Sequence, residues 1–205
     1  MYSLIHRLAG TSSILVSSSC SLSWFGPAEP PSLGLQLGFS EVIRIIKGVS
    51  LGLAHMHSKT WIHSDIKPAN IMLNERYEAI IVDFGNMVQI GSKHRGSAWY
   101  HDNETEEEAS PLSDLYSLSV IILQLVMKRR NPDNLMAEAV NCLKKRYLVH
   151  PDLGKDREST RVGAQLISLA VDCSQPELSK RPVSVKRFLE RFDDIVALIG
   201  LELEG

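Results

Sequence analysis

Four polar side chains in the middle of the chain have the types and the spacing that phosphate chemistry uses. Asp65, Lys67 and Asn70 lie in the stretch WIHSDIKPANIMLN, at residues 61–74, and Asp83 follows thirteen positions after Asn70. Carboxylate and amide oxygens are the ligands that Mg²⁺ prefers, and a neighbouring lysine supplies a cation for a transferring phosphoryl group. The pattern therefore predicts a phosphate-and-metal site. The alternative is a polar loop that merely joins a helix to a strand.

Apolar periodicity predicts the elements that position these side chains. From Ser40, taken as the N-cap, apolar residues recur at three- and four-residue steps and predict an amphipathic helix of about eighteen residues, ending near SKT. The runs IMLN and AIIVDF, separated by the polar ERYE, predict a β-hairpin. The strand ends of such a hairpin would bring Asp65, Asn70 and Asp83 to one edge of the sheet, with Lys67 between them.

The rest of the chain is predicted to be helical after an irregular stretch that ends near residue 110. SDLYSLSVIILQLVM has Ser113 as its cap, and GAQLISLAVDCS and SVKRFLERFDDIVALI carry helical stripes on either side of the connector QPELSKRP. The longest apolar run, VIILQLVM, is far shorter than the roughly 20 residues of a membrane helix, so it predicts a buried helix and no membrane span. The predicted fold class is mainly α with a small β-hairpin.

Composition limits the classes of function. A chain of 205 residues with 44% hydrophobic and 22% charged residues is typical of a globular domain. Its formal charge of −2 gives no field that would collect nucleic acid or anionic lipid, so neither is predicted as a partner. Three cysteines without a C-x-x-C pair argue against a disulfide framework or a zinc site and suit a reducing compartment, so a cytoplasmic location is expected.

The N-terminal segment differs from the rest of the chain. Residues 1–38 include the serine-rich TSSILVSSSCSLS and the proline- and glycine-containing GPAEPPSLG, with no acidic residue before Glu29. This composition predicts a variable, loosely ordered linker or insertion, with a targeting peptide as the alternative. Residues 39–200 are predicted to form the folded domain.

The spacing within IHSDIKPANIMLN and IIVDFG resembles the catalytic loop and D-F-G segment of eukaryotic protein kinases, whose pattern is H-R-D-x-K-x-x-N followed by D-F-G. The resemblance implies ATP-dependent phosphoryl transfer to a hydroxyl of a protein substrate, with ATP and Mg²⁺ as cofactors. It makes Asp65 the group that accepts the hydroxyl proton and Lys67 a contact to the γ-phosphate. It makes Asn70 and Asp83 the Mg²⁺ ligands. The position of Lys67 favours serine/threonine specificity in the family pattern.

Weaker matches extend the resemblance into the following segment. GSAWYHDNE is similar to the end of a kinase activation segment, which would place Ser97 opposite Asp65 and Lys67. In the same pattern Glu104 is a buried acid that pairs with an arginine before the last helix, and KRP supplies Arg181. That pair would hold the fold together.

SDLYSLSV is similar to the start of the central helix of the kinase large lobe. The resemblance implies that Asp114 braces the backbone of the catalytic loop and that His63 and Phe84 stack above it. Ser64 stands where the family usually has arginine, the cation that reads a phosphate on the activation loop. Activation by such a phosphate is therefore not expected.

The likeness is confined to the helical C-terminal lobe of the kinase fold. The sequence contains no G-x-G-x-x-G loop and no V-A-I-K-type lysine, and its first 38 residues are too few for the small β-rich N-lobe. We therefore expect the chain to act as part of a complete kinase and to be inactive alone. A pseudokinase-type binding module and a truncated gene product are the alternatives.

The resemblance also predicts an apolar surface. In a complete kinase, nucleotide and small lobe cover the upper face of the hairpin, which carries Ile71, Met72 and Leu73, together with the region of Phe84. Without that cover this face is expected to expose a contiguous apolar patch that a protein partner could occupy.

Overall fold

The computed structural model describes residues 37–92, 109–129, 131–145, 150, 153, 156–175 and 177–198. Its helices are α1 (Phe39–Ser58), α2 (Pro111–Met127), α3 (Leu135–Lys145), α4 (Arg157–Cys173) and α5 (Val185–Ala197). Its strands are β1 (Trp61–Ile62), β2 (Ile71–Leu73), β3 (Ala79–Ile81) and β4 (Val88–Gln89). Single 3₁₀ turns lie at Pro68–Asn70, Phe84–Asn86 and Leu178–Lys180. The predicted mainly α fold with a small hairpin is confirmed.

Helix α2 forms the centre of the core. From Leu118 to Met127 every side chain of this helix is buried, as the apolar run VIILQLVM predicts. Helix α4 packs along it, and α1, α3 and α5 complete the layer around the pair. Phe188 and Phe192, four residues apart on α5, are both fully buried and stack with ring centroids 6.1 Å apart. None of the described helices is long and apolar enough to cross a membrane.

Two small antiparallel ladders hold the loops of interest side by side. Strand β2 pairs with β3, with Met72 opposite Ile80, and β1 pairs with β4, with Ile62 opposite Val88. The β2–β3 ladder lies between the loop at residues 63–70 and the turn at residues 82–87. In the other ladder, β1 directly precedes the loop and β4 directly follows the turn. The two segments are thus anchored at both ends.

The hairpin rests directly on helix α1. A Cβ added at Gly48 would lie 3.1 Å from both the Cβ and the backbone nitrogen of Ala79, and one at Gly52 would lie 2.9 Å from Cδ1 of Ile81. Glycines one helical turn apart therefore allow the close approach of helix and strand. This contact sets the height of the hairpin above the helical layer.

Two predicted helix caps are wrong by two or three residues. The N-cap of α1 is Gly38, and the hydroxyl of Ser40 inside the first turn donates to the side chain of Glu41. Helix α2 begins at Pro111 with Ser110 as N-cap, because the fixed φ of proline suits the first helical position. Ser113, the predicted cap, lies in the first turn and donates its hydroxyl to the Ser110 carbonyl.

The caps of the later helices are side-chain caps of the usual kind. Ser184 accepts a hydrogen bond from the backbone of Arg187 at the start of α5. Asp156 accepts one from Ser159 at the start of α4, and this bond lowers the pKa of the Asp156 carboxyl below its usual value. Both side chains supply an acceptor to a backbone N–H of the first turn, which has no partner within the helix.

The predicted apolar patch on the hairpin is wrong for two of its residues. Ile71 and Leu73 are buried, while Met72 between them is partly exposed. Alternate side chains of a strand point to opposite faces, so only every second residue of β2 can face outward. Ile80, opposite Met72, is 41% exposed and shares that outer face. The outward-facing side chains of this pair of strands are therefore Met72 and Ile80.

Candidate active site

A fully buried carboxylate holds the loop that precedes the site. Oδ1 of Asp114 accepts the backbone N–H of Ser64 at 3.0 Å, and Oδ2 accepts the backbone N–H of His63 at 2.9 Å. The ring Nε2 of His57 lies 2.8 Å from Oδ2 and donates to it, since a carboxylate only accepts. The expectation that Asp114 braces this loop is confirmed. The three donors together satisfy a charge that would otherwise be costly to bury.

His63 links the loop to the turn that carries Asp83. Its Nε2 donates to the carbonyl of Val82 at 3.0 Å, and its Nδ1 accepts the backbone N–H of Asp65 at 3.3 Å. Its ring meets that of Phe84 edge-on, with centroids 5.4 Å apart. The two rings are in contact as expected, but they meet edge-on and are not stacked. Because both ring nitrogens are used, the tautomer with the proton on Nε2 is fixed.

Asp65 lies under a set of nitrogen donors. It is 4% exposed, and its Oδ2 accepts hydrogen bonds from Nζ of Lys67 at 2.7 Å, Nδ2 of Asn70 at 3.1 Å and Nδ2 of Asn86 at 3.4 Å. Nδ2 of Asn70 also donates to the Asp65 carbonyl at 2.8 Å. Three of the four side chains singled out in the sequence are therefore in direct contact.

The fourth, Asp83, lies beside Asn70 through the backbone. The N–H of Val82 donates to the Asn70 carbonyl at 2.9 Å, which places the next residue, Asp83, near that loop. Asp83 has a left-handed backbone (φ 62, ψ 67), which turns the chain out of β3. Its side chain is exposed, and its Oδ1 accepts the N–H of Gly85 at 3.4 Å.

The donor set fits Mg²⁺ as a partial site. The part of the chain that the structure describes holds no group of three or more His, Cys, Asp or Glu side chains arranged for a metal. Because Nδ2 of Asn70 bonds to Asp65, the amide oxygen is the atom of this side chain that could bind a cation. Mg²⁺ commonly takes one or two protein oxygens and completes its octahedron with phosphate and water oxygens. The amide of Asn70 and the exposed carboxylate of Asp83 suit that mode.

Two contacts of the site were missed at the level of sequence. In the sequence, His57 is only one position of the apolar stripe of α1, and Asn86 was not predicted as a site residue. A polar residue at a position of an apolar stripe, and an amide directly after Asp-Phe-Gly, are the signals that could have found them.

Other expected contacts fall partly outside the described residues. Ser97 and Glu104 lie outside them, and so does the predicted pair of Glu104 with Arg181. Arg181 itself is buried, donates Nε to the carbonyl of Gln175, and lies over the ring of Tyr116 with 5.8 Å between Cζ and the ring centroid. It therefore contributes to packing between α2 and the segment before α5.

Comparison with protein families identifies this arrangement. The family model of the protein kinase domain matches residues 34–191, which include the loop, the hairpin and the turn. The chain belongs to the protein kinase family. The family transfers the γ-phosphoryl group of ATP to hydroxyl groups of proteins.

Curated relatives agree with this assignment. The chain is 30% identical over 191 residues to U-box domain-containing protein 34 of Arabidopsis thaliana, covering 79% of this chain and 23% of that protein. It is 27% identical over 174 residues to the calmodulin-binding receptor-like cytoplasmic kinase 3 of the same plant, covering 73% and 34%. It is 29% identical over 172 residues to a probable LRR receptor-like serine/threonine-protein kinase, RKF3, covering 73% and 28%. The chain thus spans between about a fifth and a third of the length of these relatives.

Proposed function

We propose that this chain supplies the catalytic-loop half of a serine/threonine protein kinase site. The observation that carries the proposal is the contact of Asp65 with Lys67 and Asn70, joined to Asp83 by the Val82–Asn70 backbone bond. Family membership supports the reaction class, and a protein serine or threonine is the proposed acceptor. A cytoplasmic location is part of this proposal, and one of the relatives is named a cytoplasmic kinase.

Asp65 is proposed to orient the acceptor hydroxyl and to accept its proton. A carboxylate that is almost completely buried and held by several donors keeps one orientation, so little reorganisation is needed when the substrate binds. Lys67 is proposed to stabilise the transferring phosphoryl group. Its ammonium group reaches Oδ2 of Asp65 at 2.7 Å while 29% of its side chain stays exposed, so it can contact a group that arrives from solvent.

Asn70 and Asp83 are proposed to hold Mg²⁺ together with the phosphates of ATP. When bound, the ion offsets the negative charge that develops on the transferring group. The role of this chain is to fix the two ligands relative to Asp65. The bond from Val82 to Asn70 and the ring contact of His63 with Phe84 both support such a fixed spacing.

The other half of a nucleotide site is the group that covers the phosphates. The sequence has no glycine-rich loop and no strand lysine of the family type. We propose that the isolated 205-residue polypeptide transfers no phosphate and that it becomes active only beside a small lobe. Loss of those groups would weaken ATP binding to about the millimolar range.

The experiment measures phosphoryl transfer from labelled ATP by the chain alone and by the chain fused to the small lobe of a relative. We expect transfer only in the fusion. There Asp65→Asn should lower kcat by about 10²-fold or more while nucleotide affinity stays nearly unchanged, since general bases contribute about 10²–10⁴. Asp133→Asn, the same exchange at an exposed loop residue, should leave the rate unchanged.

Two outcomes would contradict the proposal. An equal loss of ATP affinity in Asp65→Asn would show that Asp65 acts on the nucleotide and not on the hydroxyl. A fusion that binds ATP but transfers no phosphate would favour the pseudokinase-type binding module.

A further inference from the structure

The turn that follows Asp83 supplies a side-chain hydrogen-bond donor to the carboxylate of Asp65. Asn86 ends the 3₁₀ turn Phe84–Asn86, and its Nδ2 lies 3.4 Å from Oδ2 of Asp65 although the two residues are 21 positions apart. The distance is at the long end for a hydrogen bond to oxygen. The contact thus connects the two segments of the site at their functional groups.

The fold brings Asn86 to this place from both sides. Before the turn, Val82 is bonded to Asn70, and after it, Val88 pairs with Ile62 in the β1–β4 ladder. The turn itself is closed by the bond from the N–H of Met87 to the carbonyl of Phe84 at 3.2 Å. The backbone of Asn86 is therefore held beside the loop. Its short side chain has few rotatable bonds and reaches Asp65 directly.

The donors to the Asp65 carboxylate come from two different segments of the chain, and this decides which part of the site each one can hold in place. Lys67 and Asn70 belong to the same loop as Asp65, so they move with the carboxylate when the loop shifts. Among the described residues, three side chains donate to Oδ2, and Asn86 is the one of these three that comes from the segment of Asp83. A bond from that segment fixes the rotation of the carboxylate relative to the turn that carries the proposed Mg²⁺ ligand.

We propose that Asn86 is a positioning residue, whose amide holds the Asp65 carboxylate in register with the Asp83 turn. The inference rests on the proposed function for its meaning in catalysis, but the contact itself does not depend on phosphoryl transfer. Asn86 is exposed, so its replacement removes the amide without opening a cavity in the core.

The test uses the 205-residue chain labelled with ¹³C at aspartate carboxyl groups and observed by NMR at one neutral pH. Asn86→Leu removes the amide but keeps the branch at Cγ, and it should shift the Asp65 carboxyl signal, which is assigned by its loss in Asp65→Asn. Asn131→Leu is the matched control, because Asn131 is another exposed amide and donates to the carboxylate of Asp133 at 2.9 Å. It should shift the signal of Asp133 and leave that of Asp65 in place.

Rescue separates positioning from a general loss of structure. Asn86→Gln keeps the amide on a longer side chain and should return the Asp65 signal toward its wild-type position, while circular dichroism confirms that all variants are folded. An Asp65 signal that stays unchanged in Asn86→Leu, while Asp133 responds to Asn131→Leu, would overturn the proposal. So would an equal shift of Asp65 in the Leu and Gln variants. Because no turnover is measured, failure of the proposed kinase activity would not alter these outcomes.

Discussion

Asp65 and Asp83 are both carboxylates of the candidate site, but their surroundings differ. Asp65 is 4% exposed and accepts hydrogen bonds from three side-chain nitrogens of the described residues. It lies in a loop whose backbone is bonded to the buried Asp114. Asp83 is exposed, and the bond to its Oδ1 is a long one from Gly85 in the same turn. The carboxylate of Asp65 is held in place by contacts to the core, whereas the position of Asp83 is set by its own backbone conformation.

The difference corresponds to what each group is proposed to do. A base must be oriented before the substrate arrives, since its contribution depends on position. A metal ligand gains its orientation from the cation that it binds, so an exposed carboxylate in a defined backbone position is sufficient.

The largest effect is expected at Asp114. Asp114→Ala leaves the N–H groups of His63 and Ser64 and the ring of His57 without their acceptor, so we expect the free energy of unfolding to fall by about 3–5 kcal/mol. Urea unfolding followed by circular dichroism measures it. Asp83→Asn is the control: it removes the charge but keeps a side chain that tolerates the left-handed backbone and can accept from Gly85, so it should change the free energy of unfolding by less than about 0.5 kcal/mol. Equal losses in the two variants would remove the contrast between the regions.

A smaller effect is expected at His57. His57→Leu removes one donor to the Asp114 carboxylate and leaves the two backbone donors in place, so we expect a loss of about 1.5–3 kcal/mol in the same assay. His55→Leu, an exposed histidine on the same helix, should have almost no effect. If His57→Leu is as mild as His55→Leu, Asp114 is satisfied by the backbone alone.

The smallest effect is expected at Phe84, which joins the two regions. Phe84→Leu removes the edge-on ring contact with His63, and such pairs contribute about 0.5–1.5 kcal/mol beyond their buried area. Hydrogen exchange should become faster at the amide of Met87, which closes the turn onto the Phe84 carbonyl. It should stay unchanged at Ser64, whose N–H is bonded to the buried Asp114. Faster exchange at Ser64 as well would show that the loop depends on the turn.

The sequence predicted the elements better than their ends. Apolar spacing located α1, the β2–β3 hairpin and α2, because burial on one face leaves a period that can be read directly. The caps at Ser40 and Ser113 were wrong, since several polar residues near a helix start could serve and the backbone decides among them. The site outside the loop was also incomplete, because neither His57 nor Asn86 has a local pattern that marks its partner.

Sequence by itself determined the local chemistry of the loop. Lys67 and Asn70 lie two and five residues from Asp65, so their contacts follow from the order of residues once the 3₁₀ turn forms. The part of the kinase-like spacing that runs from His63 to Asn70 lies in the same short stretch. These contacts can be predicted without knowing which distant segments of the chain pack against the loop.

Only the tertiary structure decided how the loop is held and what it faces. His63 and His57 meet Asp114 across 51 and 57 positions, and Asn86 meets Asp65 across 21. Contacts at such separations require α2 and the two ladders to pack in one particular way, because closing these loops costs entropy that only the buried core offsets. The residue types could be read from the sequence, but their partners are a property of the folded chain.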